Sequence, residues 1–557
     1  MKLFTKYRTD LFFAGMLFCT ACAILVSCSY SLESTVFACS FLLLPFSFLL
    51  SVTGQFLRSI AFASAIIISV YMLDRLKDHY YTSPLLFPDF QILMDSNNWE
   101  TMVQYPWVGL VFILLFVLLA YSVSLSRKKD KRYGYMIRSS GVVVIILCVM
   151  LSNYFSHSEL TKQDWEKNLT VRRYNNTFSN LIMSVNGFTY QSPKIVADDR
   201  LFKQSLAALP VSVLSEGVDG KLPNIIVWLQ ESTVNPQIFD IPCAQWPKLT
   251  MFEPQSDTVV TNWLRVHTFG GGTWKSEFTL LSGLPSTDFG SSAETVYYNV
   301  TPHLSYSLPK FLKEKGYYTI VLIATEKNAY NANNAYRDLG FDLVLQPQDI
   351  GLNVDKNQNL WKTSSSEMAR YTKNVLSVYP NKPVFIFMLT VREHGPYDST
   401  KIPAYGLDQC MNTKAAGSLS DYIERLEALD KATEDFNRYL IDSNHPYLFA
   451  YFGDHQPKIE SSSFDYRIPF VHPDFVTQFS IHSNLPKNNT QHSELMDLAF
   501  LAGFLIEEAN LIPNDFFAAN IAMRKKCDAK LEDCVNKELL KSYRAYLYNT
   551  MKVAENN

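Results

Sequence analysis

The sequence predicts a five-helix transmembrane domain followed by an exported α/β domain with a largely parallel central sheet. Five apolar runs of membrane-spanning length fill the first 155 of 557 residues. Lys and Arg concentrate in two short segments of that same stretch. Beyond residue 221, short apolar runs alternate with helical stretches, the pattern of a parallel sheet with crossover helices.

The apolar runs are residues 11–30, 35–52, 56–73, 106–124 and 140–155. Each approaches the roughly 20 residues needed to cross a bilayer, and several in succession exclude a cleaved signal peptide. Charged residues make up 18% of the chain, against a typical value of about 25%, because these runs dilute an otherwise ordinary remainder. The net charge of −3 and the ordinary overall composition argue against a polybasic nucleic-acid binder.

Orientation follows from the basic residues, which stay on the cytoplasmic side. Lys2, Lys6 and Arg8 precede the first run, and Arg127, Lys128, Lys129, Lys131, Arg132 and Arg138 separate the fourth from the fifth. Five spans then place everything after residue 155 outside. The expected organisation is a transmembrane domain over 1–155, a helical connector along the membrane surface over 156–220 and an exported catalytic domain over 221–557. Residues 80–88, in the outer loop 74–105, are aromatic and apolar enough to rest at the lipid headgroups.

Cysteines divide along the same boundary. Cys19, Cys22, Cys28, Cys39 and Cys148 fall in the spans, whereas Cys243, Cys410, Cys527 and Cys534 fall outside. That is an even number, which an oxidising compartment allows to pair, with Cys527 and Cys534 the nearer couple. No CxxC occurs in the exported part, so a thiolate zinc site is not expected.

Four strand candidates each end on polar chemistry. Residues 224–230 end at Glu231, 318–324 at Glu326 and Lys327, 383–391 at Arg392, Glu393 and His394, and 447–452 at Gly453, Asp454 and His455. Ligands gather at the carboxyl ends of parallel strands. Glu, Asp and His brought together there supply the oxygen and nitrogen donors of a hard or borderline divalent metal. A nucleophile stands in the segment from His267 through Gly270, Gly271, Gly272, Thr273 and Lys275 to Phe278. The glycines permit a tight turn with N–H groups facing a ligand, and a helix starting at Thr273 would stabilise an anion at its amino end. Residues 518–557 read as charged helix with a solvated face.

The ordered set Asn224-Ile225-Ile226-Val227 to Glu231, Gly270-Gly271-Gly272-Thr273 to Ser276-Glu277-Phe278, His394-Gly395-Pro396-Tyr397 and Gly453-Asp454-His455 resembles the lipoteichoic acid synthase branch of the alkaline phosphatase–sulfatase superfamily. That branch includes bacterial membrane phosphoglycerol transferases built as five spans and an exported domain. The resemblance implies an alkaline phosphatase/sulfatase-like fold and one divalent metal, Mn2+ or Zn2+, on Glu231, Thr273, Asp454 and His455. It implies Thr273 as nucleophile and His394 as the histidine touching the transferred headgroup. The donor would be a phospholipid, phosphatidylglycerol or phosphatidylethanolamine, and the acceptor a hydroxyl of a glycan or polymer.

Residues 325–342 are similar to the family's headgroup-pocket loop, with Tyr330 in place of tryptophan and Ala332 in place of arginine. Lys327 and Arg337 are the candidates to replace that cation. Arg392 is expected to shape the acceptor groove together with Glu393, and His267 to contribute to substrate binding. The alternatives are a phosphoethanolamine transferase on the same scaffold, whose usual nucleophile neighbourhood Thr273 does not match, and a non-catalytic phospholipid-binding regulator. A regulator would be expected to have lost the nucleophile or a ligand, yet all four positions carry competent side chains.

Overall fold

The computed structural model describes residues 2–28, 32–81, 83–99, 106–124, 139, 141–150, 177–207, 221–350, 360–459, 464–486 and 493–555. Two compact units result: Met1–Thr189 with Gly290–Ser292, and Tyr190–Phe289 with Ala293–Asn557.

The first unit is helical, with Lys2–Ser27, Leu32–Thr53, Phe56–Tyr81 and Pro106–Ser124 as its long elements. Among the described residues three helices are long and apolar enough to cross a membrane, Thr9–Ser27, Phe56–Tyr81 and Trp107–Ser124. The expected second span lies on the helix Leu32–Thr53, which carries Pro45 inside it, and within the expected fifth span Gly141–Met150 is an apolar helix. The basic loop 127–132, Arg138 and residues 151–176 lie outside the described residues. Within the unit, Phe56–Tyr81 buries the small residues Ser59, Ala61, Ala63, Ser64 and Ala65, the kind of face that lets helices approach without a hydrophobic driving force. Trp107–Ser124 leaves Trp107, Ile113 and Phe116 exposed, as a lipid-facing surface would. At the end of the third helix, buried Asp74 accepts hydrogen bonds from Leu85 N–H (2.9 Å) and the Thr177 hydroxyl (2.8 Å). Lys77 pairs with Asp89 at 2.7 Å nearby. Tyr80 and Tyr81 end the third helix, and Leu85, Leu86 and Phe87 are held by hydrogen bonds to Asp74, Asp89 and Ser184.

The second unit is built on an eight-stranded sheet in the order β4-β3-β5-β1-β6-β7-β2-β8. Its strands are β1 Asn224–Gln230, β2 Thr258–Arg265, β3 Tyr318–Ile323, β4 Leu343–Leu345, β5 Val384–Thr390, β6 Tyr447–Gly453, β7 Val476–Ser483 and β8 Leu495–Asp497. The four strands legible as apolar runs are the adjacent β3, β5, β1 and β6, all parallel. Buried on both faces, such strands read as continuous apolar runs. Antiparallel β7 joins β6 to β2.

Two sequence expectations change. Residues 190–207 of the expected connector belong to the second unit: in the helix Arg200–Ala207, Phe202 is buried, packs edge-on to Tyr543 (5.0 Å) and donates its N–H to Ser542 Oγ at 3.0 Å. The C-terminal stretch is not one solvated charged helix. Asp515–Lys526 and Lys537–Ala545 are separate helices with a Cys527–Cys534 disulfide between them. Arg524 is 3% exposed, pairs with Glu507 and lies 4.7 Å over the Phe504 ring, so part of the charge faces inward. A second disulfide joins Cys243 to Cys410, which completes the pairing of the four outer cysteines.

Candidate functional site

Strand register assembles the site. Gln230 at the end of β1 lies opposite Thr390 of β5 on one side and Gly453 of β6 on the other, so Glu231 and Asp454 leave the sheet side by side. Gly453 is required for close approach, because a Cβ there would collide with the carbonyl oxygen of Thr233. Ser232 takes a left-handed conformation (φ 52°), held by its N–H bond to Asp454 Oδ1 (2.8 Å) and by the Tyr422 hydroxyl on its carbonyl (2.8 Å).

The Gly270-Gly271-Gly272 turn delivers the helix Thr273–Ser282, with Gly272 as left-handed cap (φ 82°). Its first turn is anchored by Glu294, whose backbone carbonyl accepts the Trp274 indole N–H (2.9 Å) and whose carboxylate pairs with Lys275 Nζ (3.0 Å). Ser276 Oγ ties the same turn to the Asp454 carbonyl at 2.7 Å. Thr273 is thereby placed so that its hydroxyl donates to Glu231 Oε2 at 2.9 Å.

Glu231, Asp454 and His455 are buried, and one donor atom from each lies within 4.8 Å of the others. His455 Nε2 is 3.0 Å from Glu231 Oε1 and 3.3 Å from Asp454 Oδ2. Neither His455 Nε2 nor Asp454 Oδ2 has a hydrogen-bond partner, although both are shut off from solvent. His455 Nδ1 meets the Gln456 carbonyl at 2.9 Å, which fixes the proton on Nδ1 and turns the Nε2 lone pair toward the carboxylates. Leaving Asp454 Oδ2 and His455 Nε2 without partners is costly in a dry interior, and a divalent cation satisfies them together with Glu231, so the donor set fits a metal.

Electrostatics agree with that fit. Burial pushes both carboxyls up, but the neighbouring His394 and His455 imidazoles and the Thr273 hydrogen bond outweigh it at Glu231 and hold that group well below its ordinary value. At Asp454 the Glu231 charge adds to burial and drives the carboxyl up to about 7. Two adjacent carboxylates cannot both ionise comfortably without a cation.

His394 follows β5 with Nε2 4.0 Å from Glu231 Oε1 and Nδ1 2.5 Å from the Gly395 carbonyl. The Trp361 ring stands edge-on to it at 5.1 Å. Burial pushes the imidazole below its ordinary value despite the pull of Glu231.

The structure thus brings Glu231, Thr273, Asp454, His455 and His394 together. The other expected site residues scatter. Tyr330 stacks on Trp274 beside the nucleophile (4.8 Å, 18°) in a left-handed conformation (φ 52°). Lys327 Nζ is engaged by Asp349 at 3.0 Å and His267 Nε2 by Asp497 at 3.1 Å, both outside the cluster. Arg337, in the last turn of Ala332–Asp338, and Arg392 are exposed. Glu393 does not line a groove: it is 1% exposed, accepts from Ser365 Oγ at 2.6 Å and is pushed up to about 7 by burial.

Sequence reasoning passed over a role for Glu277, one turn beyond Thr273. It is buried, accepts from the Tyr297 hydroxyl (3.0 Å) and the Tyr336 hydroxyl, and is raised to about 7 by burial. Its position four residues after Thr273 was the available signal, since i and i+4 share a helix face.

The sulfatase family matches residues 223–506. A relative from Haemophilus influenzae, described only as an uncharacterized protein, is 38% identical over 546 residues, 97% of this chain and 98% of that one. The lipoteichoic acid synthase-like YvgJ of Bacillus subtilis is 21% identical over 249 residues, 44% of this chain and 37% of that protein. Among solved structures, the phosphoglycerol transferase GacH of Streptococcus pyogenes aligns with a TM-score of 0.49 at 17% identity, covering 66% of this chain and 100% of that one. The match to the sulfatase family spans the sheet and every residue of the cluster, and the chain belongs to that family, within the alkaline phosphatase–sulfatase superfamily that includes lipoteichoic acid synthase-like members.

Proposed function

We propose that this protein transfers a phosphoglycerol-type headgroup from a membrane phospholipid to a hydroxyl of a cell-envelope glycan or polymer, through a phosphorylated Thr273, at the outer face of a bacterial cytoplasmic membrane. The observation that carries the reading is the Thr273 hydroxyl at a helix amino terminus, hydrogen-bonded to Glu231 in a cluster where Asp454 Oδ2 and His455 Nε2 have no partner. The two disulfides outside the helical unit support an oxidising compartment. Apolar helices long enough to span a bilayer support a lipid donor.

Glu231, Asp454 and His455, with Thr273 as fourth ligand, would hold one divalent cation, Mn2+ or Zn2+, which supplies Lewis acidity that lowers the hydroxyl pKa and screens the phosphate oxygens. In the first step Thr273 Oγ1 attacks phosphorus, the bond to the diacylglycerol oxygen breaks, and the hydroxyl proton leaves by way of Glu231, which already accepts it. The helix amino terminus offers N–H groups to the negative charge that builds at the threonine and the phosphoryl oxygens. In the second step the acceptor hydroxyl attacks phosphorus and the bond to Oγ1 breaks. His394, with its proton on Nδ1 and Nε2 free, is placed to take the acceptor proton. Net, one proton passes from the acceptor to diacylglycerol.

Mass spectrometry of the full chain after incubation with mixed phospholipids and Mn2+ or Zn2+ tests this. The expected result is a glycerol phosphate adduct on Thr273, absent in Thr273→Ala. An ethanolamine phosphate adduct would replace the headgroup assignment, and diacylglycerol release by Thr273→Ala would overturn the nucleophile. No adduct with either metal would favour a phospholipid-binding regulator.

A further inference from the structure

The turn that carries His394 is gripped at three of its carbonyls by one side chain from a neighbouring helix. Arg425, in the helix Thr413–Asp442, donates Nη1–H to the carbonyls of Arg392 (3.2 Å) and His394 (2.6 Å), and Nη2–H to the carbonyl of Pro396 (3.2 Å). One guanidinium therefore gathers three alternate carbonyls of one short turn. It is fixed in turn by Asp421, whose Oδ2 lies 2.5 Å from Nη2, and by the Tyr397 ring 5.1 Å beneath it. Asp421 Oδ2 also accepts the Asp398 N–H at 3.1 Å, so the helix grips both sides of the turn. The Arg425 side chain is only 13% exposed.

This arrangement has a consequence for the imidazole. The His394 ring points back over its own turn, with Nδ1 against the Gly395 carbonyl at 2.5 Å. That carbonyl belongs to the segment between the His394 and Pro396 oxygens that Arg425 gathers. Holding the backbone thus holds the Nδ1 acceptor, hence the tautomer and the direction of Nε2. A planar five-donor fork can bridge several oxygens, whereas an ammonium is a point charge that cannot span them with the same geometry.

We propose that Arg425 is a positioning residue for the headgroup-transfer reaction, setting the place and tautomer of His394 through the 392, 394 and 396 carbonyls. It touches no substrate. The inference rests on the role given to His394 above, and the test separates the two.

The experiment uses the full chain carrying Arg425→Met, Arg425→Lys, His394→Ala and the double variant His394→Ala/Arg425→Met. Multiple-turnover diacylglycerol release from phosphatidylglycerol vesicles, each round of which needs the acceptor step given to His394, and the structure of each variant are the readouts, with thermal unfolding as the fold control. Arg425→Met is expected to lower kcat at least 10-fold with KM changed less than 2-fold, Arg425→Lys to recover part of the loss, and the double variant to match His394→Ala within 2-fold. In the Arg425→Met structure the 4.0 Å separation of His394 Nε2 and Glu231 Oε1 is expected to widen. A multiplicative loss in the double variant, or an unmoved His394 ring in Arg425→Met, would overturn the proposal. Full activity of His394→Ala would instead overturn the catalytic role of His394, and the structural readout would still decide whether Arg425 positions the ring.

Discussion

At the carboxyl edge of the sheet His455 faces Glu231 and Asp454, and at the amino ends of β6 and β2 His482 faces Asp257. Both combine imidazole with carboxylate; the first is fully buried, and in the second His482 is buried while Asp257 is 12% exposed. In the second, Asp257 receives His482 Nδ1 (3.0 Å), the Tyr447 hydroxyl (2.8 Å) and Asn437 Nδ2 (3.0 Å), while His482 Nε2 meets the Tyr451 hydroxyl at 3.2 Å. Every donor there meets an acceptor. In the first, carboxylate and imidazole lone pairs converge, and His455 Nε2 and Asp454 Oδ2 remain without partners. The same residue types thus make a donor-satisfied carboxylate in one place, although Asn437 Oδ1 beside it lacks a partner, and an open cradle of carboxylate and imidazole in the other. Donor count, more than burial, separates structure from function here.

The largest expected contrast comes from removing one member of each cluster. Asp454→Asn should weaken divalent-cation affinity by more than the roughly 10- to 100-fold typical of outer-sphere substitutions, while leaving the cation-free protein as stable as wild type or more so, since one of two crowded charges is gone. Calorimetric titration and thermal unfolding of the same samples check both halves. His482→Ala should do the reverse: about 3 kcal/mol of stability lost, as when one partner of a buried pair is deleted, with cation affinity unchanged. If His482→Ala lost the cation as well, the two clusters would not be independent.

A smaller effect is expected from the cation itself. At 100 times its Kd, Mn2+ or Zn2+ should stabilise wild type by about 2.7 kcal/mol and Asp454→Asn by far less. Denaturant unfolding with and without the ion reads the difference.

The smallest contrast lies in pH. Burial raises the Asp257 carboxyl, but the His482 hydrogen bond and charge, with Tyr447 and Asn437, outweigh it and lower the group from 3.8 to about 2. A depressed carboxylate contributes stability that is present above its unfolded value and lost as pH falls through its folded one. The stability gap between wild type and Asp257→Asn should therefore shrink between pH 4 and pH 2, by no more than about 2 kcal/mol. A gap that grew on acidification would contradict the assignment.

These contrasts also mark what the amino-acid sequence made legible. Strands β3, β5, β1 and β6 were readable because burial on both faces makes them uniformly apolar, and their shared polarity put Glu231, His394 and Asp454 at one edge. Strand β7 was not, although it is almost wholly buried, because Thr477, Ser480, His482 and Ser483 are satisfied inside the fold rather than in water. Strands β4 and β8 are three residues each, too short for a period to show. The Asp257–His482 knot joins residues 225 apart in the chain and has no local signature. Lys327 and Arg392 looked like site cations by adjacency alone, whereas packing engages one with Asp349 and leaves the other exposed. Arg425 sits on a long helix with no motif around it, and only the turn it grips reveals its part.

The account stands or falls on where a cation binds. Metal content and calorimetric affinity for Mn2+ and Zn2+ should be measured on the full chain as wild type, His455→Ala and His482→Ala. The expected result is a single cation per chain in wild type and His482→Ala, lost in His455→Ala. A cation held with unchanged affinity by His455→Ala, or none bound by wild type, would contradict it.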